Sequence, residues 1–166
     1  MSERASNVNW ESFAHFSPDE WPAGTLGKMD ARVIESLNRV RERLPANHAW
    51  TPSPVARGHV RDEESTSRHS AAGRLADATD GFVRWNHLWR WWIELQRDPE
   101  IGGIGVYPDM IWDGTFRARP MIHIDTRPER VLWVAVRDSR DDSMRYTTLL
   151  SEPLSFFEHL ATRAHH

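Results

Sequence analysis

Residues 102–136, GGIGVYPDMIWDGTFRARPMIHIDTRPERVLWVAV, decide the fold class. Within them Met121-Ile122-His123-Ile124-Asp125 alternates between side-chain types, the period of a strand with two different faces. His123 and Asp125 then share one face. Val131 to Val136 is an apolar run that reads as a second strand. The polar connector Thr126-Arg127-Pro128-Glu129-Arg130 predicts that the two strands pair antiparallel. Gly102-Gly103-Ile104-Gly105-Val106-Tyr107-Pro108 reads as a tight turn at the end of a short strand.

Outward from this stretch the periodicity is helical. Met29, Val33, Ile34, Leu37, Val40 and Leu44 repeat at the spacing of one helix face, and Pro45 stops the run. Gly81-Phe82-Val83-Arg84-Trp85 reads as a short strand, and Asn86 as the cap of a second helix from about His87 to Gln96. On that helix positions 85, 88, 89 and 92 share a side, which predicts Trp85, Trp89 and Trp92 in the core and Trp91 elsewhere. A last helix is expected from about Pro153 to Arg163, capped by Ser151, with Leu154, Phe157 and Leu160 inward. Helices, then short strands, then a helix indicate α+β: a small antiparallel sheet flanked by helices. Residues 1–27 read as a lead-in packed on the body through Trp10, Phe13, Phe16 and Trp21, with Ser17 and Glu20 forming a capping box. Residues 28–166 form a single domain.

Composition bounds the function. A chain of 166 residues is long enough for one real core, and 39% hydrophobic with 27% charged residues is neither a disordered nor a membrane composition. No apolar run approaches the ~20 residues of a bilayer span, and MSERASNVNW lacks a signal peptide's apolar stretch. With no cysteine there is no thiolate chemistry. A net charge of -3 argues against a large duplex-binding face. The expected partners therefore include no nucleic acid and no membrane.

Residues 45–79 have almost no periodic hydrophobicity, and a loop that long inside one domain points to function. Of the nine histidines, His15, His48, His59, His87 and His159 have no polar partner at metal-like spacing and read as surface or packing residues; His165 and His166 are terminal. His69 and His123 differ. Two imidazoles and one carboxylate make the donor set of a catalytic zinc with its fourth position open.

Ser67-Arg68-His69 through Ala78-Thr79-Asp80, then Gly105-Val106-Tyr107-Pro108 and Ile122-His123-Ile124-Asp125, resemble the zinc D-Ala-D-Ala metallopeptidase family. That family includes D,D-carboxypeptidases, phage L-alanyl-D-glutamate endolysins and, by fold, the amino-terminal domain of hedgehog proteins. The opening Phe16-Ser17-Pro18-Asp19-Glu20-Trp21 is similar too. The resemblance implies a hedgehog/D,D-peptidase-like fold, one Zn2+ ion held by His69, Asp80 and His123, and a peptidoglycan stem-peptide substrate. It also implies a phage origin, and with no signal peptide a place in the host cytoplasm or virion. The family's aspartate stands seven residues after the first histidine, whereas Asp77 and Asp80 stand eight and eleven after His69. Asp80 is preferred because Ala78-Thr79-Asp80 matches the Ala-x-Asp that enters a strand; Asp77 is the alternative. Many members place a base two or three residues before the second histidine, where this chain has Met121 and Pro120. Asp125 is then the nearby proton acceptor, or else the group that holds His123 in place. By the same resemblance Arg61 holds the substrate carboxylate, with Arg57, Arg68 and Arg127 as competitors. Ser67 bonds substrate or shapes its turn, and Tyr107 stabilises an oxyanion or packs. The shifted aspartate and absent upstream base favour an alternative: the same fold without turnover, as a phage virion or assembly component with a structural partner.

Overall fold

The computed structural model describes residues 2–111, 118–137 and 143–163. Three helices, α1 (Ala31–Glu42), α2 (Leu88–Gln96) and α3 (Pro153–Arg163), accompany six strands. These are β1 (Thr51–Pro52), β2 (Ala78–Phe82), β3 (Gly103–Ile111), β4 (Ala118–Asp125), β5 (Val131–Arg137) and β6 (Met144–Thr148). They form one mixed sheet in the order β1-β2-β4-β3-β5-β6, in an α+β fold. Among the described residues no helix is long and apolar enough to cross a membrane. His165 and His166 lie outside the described residues, as does the side chain of Leu160.

The sheet departs from the expected small antiparallel one. β4 and β5 run in opposite directions, but β3 lies between them and pairs parallel with β5. The glycine-rich segment read as a turn is the start of this central strand. Its glycines serve close approach, since a Cβ at Gly102 would stand 1.8 Å from the carbonyl oxygen of Arg127. The connector from β4 to β5 therefore crosses the end of β3 at that glycine instead of turning tightly back.

Helix α1 follows its periodicity. Asp30 caps it by accepting the Arg32 N–H at 3.0 Å, and Met29, Val33, Ile34, Leu37, Val40 and Leu44 are all buried. Beyond the other end Arg41 donates to the carbonyls of Leu44, Pro45 and Ala46 and so holds the segment that leaves the helix.

Helix α2 is one residue out of the expected phase. Trp85–His87 forms a separate 3-10 turn, Asn86 is not the cap, and the helix begins at Leu88. Its inward row is Leu88, Trp91, Trp92 and Leu95. Trp91 is fully buried with its ring 5.2 Å from that of Trp50, while Trp89 is 41% exposed. In α3 the inward residue is Phe156, against Trp92 at 5.5 Å. Leu154 and Phe157, expected inside, are exposed. The expected strand at 81–85 is instead β2, which ends at Phe82.

The amino-terminal aromatics join the main core. Phe16 and Trp21 are buried with rings 5.6 Å apart, and Trp10 and Phe13 pack beside them. Ser17 N–H donates to Glu20 Oε1 at 2.8 Å around a single 3-10 turn, Pro18–Glu20.

The period of two then divides the sheet. Ile104, Val106, Ile122, Ile124 and Val134 face the core. Asp80, His123, Gly105, Trp133 and Thr148 lie opposite one another on five successive strands, forming a single row across the other face.

Candidate metal centre

Ladder register places the two strand-borne ligands. Asp80 on β2 stands directly opposite His123 on β4, and both point away from the core. His69 reaches them from the long loop, which is ordered by its own backbone bonds. Arg61 N–H donates to the His69 carbonyl at 2.7 Å, and Ala71 N–H returns to the Arg61 carbonyl at 2.7 Å. The Ser67 hydroxyl accepts the His69 N–H at 3.3 Å, so it shapes the turn that presents the imidazole. Gly73, at φ +70, supplies the left-handed residue that lets the loop return to β2.

Three donor atoms converge. His69 Nε2 lies 3.0 Å from His123 Nδ1 and 3.4 Å from Asp80 Oδ1, and His123 Nδ1 lies 2.9 Å from Asp80 Oδ1. All three residues are buried, and together they can hold a metal ion. Tetrahedral zinc with bonds of about 2.0–2.1 Å requires ligand atoms about 3.3 Å apart, so spacing and donor types both fit. Asp77, the alternative ligand, is not part of the group. It accepts from Arg68 Nη1 at 3.1 Å, because it lies outside the alternating register that turns Asp80 toward His123.

Asp125 is fully buried behind His123. Its Oδ2 accepts the His123 Nε2–H at 3.0 Å, and its Oδ1 accepts from Arg127 N at 3.1 Å and Arg127 Nε at 2.7 Å. A second guanidinium N–H of Arg127 donates to Oδ2. Of the two roles open for Asp125, this arrangement supports holding His123, because the bond at Nε2 leaves Nδ1 for a metal. It does not present Asp125 to the cleft as a base.

The charges follow. Burial opposes ionisation of Asp80, but the His69 and His123 imidazoles outweigh it and hold the carboxyl well below the usual range. Burial likewise opposes ionisation of Asp125, and His123 and Arg127 hold it low. Burial disfavours the His123 cation, yet its bonds to Asp125 and Asp80 raise its pKa to about 9.

The triad opens into a cleft of about 660 Å³ lined by Arg61, Ser67, Tyr107, Arg127, Trp133 and Tyr146 among others. Burial pushes the Tyr107 hydroxyl above its ordinary pKa, so it keeps its proton. It also accepts from Trp133 Nε1 at 3.4 Å. Arg57 pairs with Glu63, Arg68 with Asp77 and Arg127 with Asp125. Arg61 is the one of these four arginines with no carboxylate partner among the described residues. A second, more apolar pocket of about 240 Å³ adjoins the cleft at Arg61, Asp80, Met110 and Met121.

One residue escaped sequence reasoning. Trp133 lies with its ring 5.0 Å from that of His123, filling the space above Gly105, where a Cβ would stand 2.2 Å from the indole. Alternate glycines in a strand were its only sequence signal. His59, read as a packing residue, is fully buried beside the site: Nε2–H donates to the Ser53 carbonyl at 2.8 Å and Nδ1 accepts from Thr79 Oγ1 at 2.7 Å. Burial lowers its pKa, so it is neutral and pins the 53–59 segment against β2. Comparison of the chain with protein-family models, with curated proteins and with solved structures finds no match.

Proposed function

We propose that the protein is a zinc-dependent peptidase acting on peptidoglycan stem peptides, of the D,D-carboxypeptidase or L-alanyl-D-glutamate endopeptidase type. The observation that supports this reading is the convergence of His69, Asp80 and His123 at one end of an open cleft. His69, Asp80 and His123 would hold a zinc ion, which would supply Lewis acidity and lower the pKa of water there. Arg61, at the junction of the cleft with the apolar pocket, binds a carboxylate of the substrate through its guanidinium fork. Tyr107 stays protonated and donates to the carbonyl oxygen as negative charge develops. Ser67 presents His69 and lines the cleft wall.

One observation favours a second reading, in which the same fold binds without turnover, as a virion or assembly component does. Among the described residues lining the cleft, the only carboxylate and imidazoles are the three candidate ligands, and Asp125 is engaged behind them. The test is release of amino groups or D-alanine from purified cell walls by zinc-loaded protein. Release that disappears in His69→Ala supports the peptidase. Folded, metal-loaded protein inactive on several wall chemotypes refutes it and leaves the binding reading.

A further inference from the structure

We infer that Arg127 is a positioning residue of the metal centre, acting through Asp125, and that Gly103 is the gap that lets it do so. The inference rests on the metal reading of the triad above. Besides His69, three groups confine the His123 ring. Asp80 faces Nδ1 from the neighbouring strand, Trp133 stands 5.0 Å from the ring, and Asp125 bonds the far nitrogen, Nε2. Asp125 alone is a two-bond rotor that would leave Nε2 free to swing. Arg127 removes that freedom, since its backbone N–H, its Nε and an Nη2 N–H all end on the two carboxylate oxygens. A fork held at both oxygens fixes the plane of the carboxylate as well as its place.

The fork is itself held. The guanidinium carbon lies 5.4 Å from the centre of the Trp133 ring, at cation–π distance. The same indole donates to the Tyr107 hydroxyl. One connected set of side chains therefore links the Nε2 edge of His123 to a hydroxyl at the substrate side of the cleft. Gly103, opposite Asp125 on β3, makes the set possible: a Cβ there would stand 2.2 Å from Asp125 Oδ2 and 2.5 Å from Oδ1. The space that β3 yields at this position is filled by the carboxylate.

Arg127 therefore serves the metal and is not an anion hook for substrate, although it lines the cleft. The test is metal affinity, measured by competition with a chromophoric zinc chelator, together with the visible spectrum of the cobalt-substituted protein. Arg127→Met should weaken zinc binding measurably, by less than the roughly 10- to 100-fold that follows loss of a ligand's direct partner such as Asp125. It should also alter the cobalt spectrum. Arg127→Lys, which restores a charge but not the fork, should recover only part of the affinity. Gly103→Ala should weaken zinc similarly without removing any hydrogen-bonding group. Arg127→Met with wild-type zinc affinity and an unchanged cobalt spectrum overturns the inference alone, even if peptide hydrolysis is slowed. Folded wild-type protein that takes up no metal overturns both the inference and the reading beneath it.

Discussion

Nε2 of His69 lies 3.0 Å from Nδ1 of His123, and Asp80 Oδ1 completes the triangle at 3.4 and 2.9 Å. Two imidazole nitrogens and a carboxylate oxygen cannot approach this closely in a buried place without a proton or a cation among them. The triangle separates the two candidate aspartates. Asp80→Ala should abolish stoichiometric zinc uptake, measured by metal analysis after gel filtration. Asp77→Ala should keep it and lose only the partly exposed pair with Arg68. Zinc retained by Asp80→Ala and lost by Asp77→Ala would reverse the assignment.

Asp125→Asn tests what the carboxylate does. The amide would turn an NH2 toward either His123 or the Arg127 guanidinium, both of them donors. Zinc affinity should fall roughly 10- to 100-fold. Unchanged affinity with hydrolysis abolished would instead assign Asp125 to proton transfer.

The pH dependence should differ with and without metal. In the metal-free protein the pKa of His123 is raised from 6.5 to about 9, so the stabilisation it confers is complete below 6.5 and lost as pH rises through about 9. Asp80 and Asp125 are depressed below 3.8, so their contribution is present above that value and lost in acid. Chelator-treated protein should therefore melt higher near pH 6 than near pH 9. Zinc must displace the His123 proton, so the melting-temperature rise caused by added zinc should be smaller near pH 6 than near pH 8. A zinc-induced rise independent of pH would argue against His123 as a ligand.

The phase of α2 predicts a contrast between neighbouring tryptophans. Trp91→Ala empties a fully buried site and should cost about 3–5 kcal/mol in denaturant unfolding. Trp89→Ala, at a position 41% exposed, should cost clearly less, because much of its side chain is already in water. Equal costs at the two positions would contradict the packing.

What the sequence made legible was local. The face of α1 from Met29 to Leu44 follows from a 3.6-residue period, and the alternation around His123 from a period of two. The grouping of His69 with Asp80 and His123 was implied by the family resemblance, whose Ala-x-Asp favoured Asp80 and left Asp77 as the alternative. The neighbours across the sheet were not visible. Nothing between Asp125 and Val131 reveals that β3 lies between their strands, since a polar connector has the same composition whether it turns or crosses. The error at Trp91 has a similar cause: a 3-10 turn before Leu88 moves the helical phase by one residue without altering composition. Glycines 103 and 105 look like a turn until the side chains that lean over them, Asp125 and Trp133, are known.

The placement of β3 between β4 and β5 also governs when the wall of the centre is complete. The side chains of His69 and His123 are 54 residues apart in the chain and those of Asp80 and His123 are 43 apart, so no short segment assembles the ligands. β4 joins Asp80 to His123 directly, but Trp133 reaches His123 only after β5 has paired with β3. Such distant pairings form slowly, because the chain loses loop entropy before the contacts repay it. A nascent chain released before residue 123 lacks the site altogether, and one stopped before residue 133 lacks its indole wall. In a refolding experiment, closure of the indole wall over His123 should accordingly trail the β2–β4 pairing that brings Asp80 to His123.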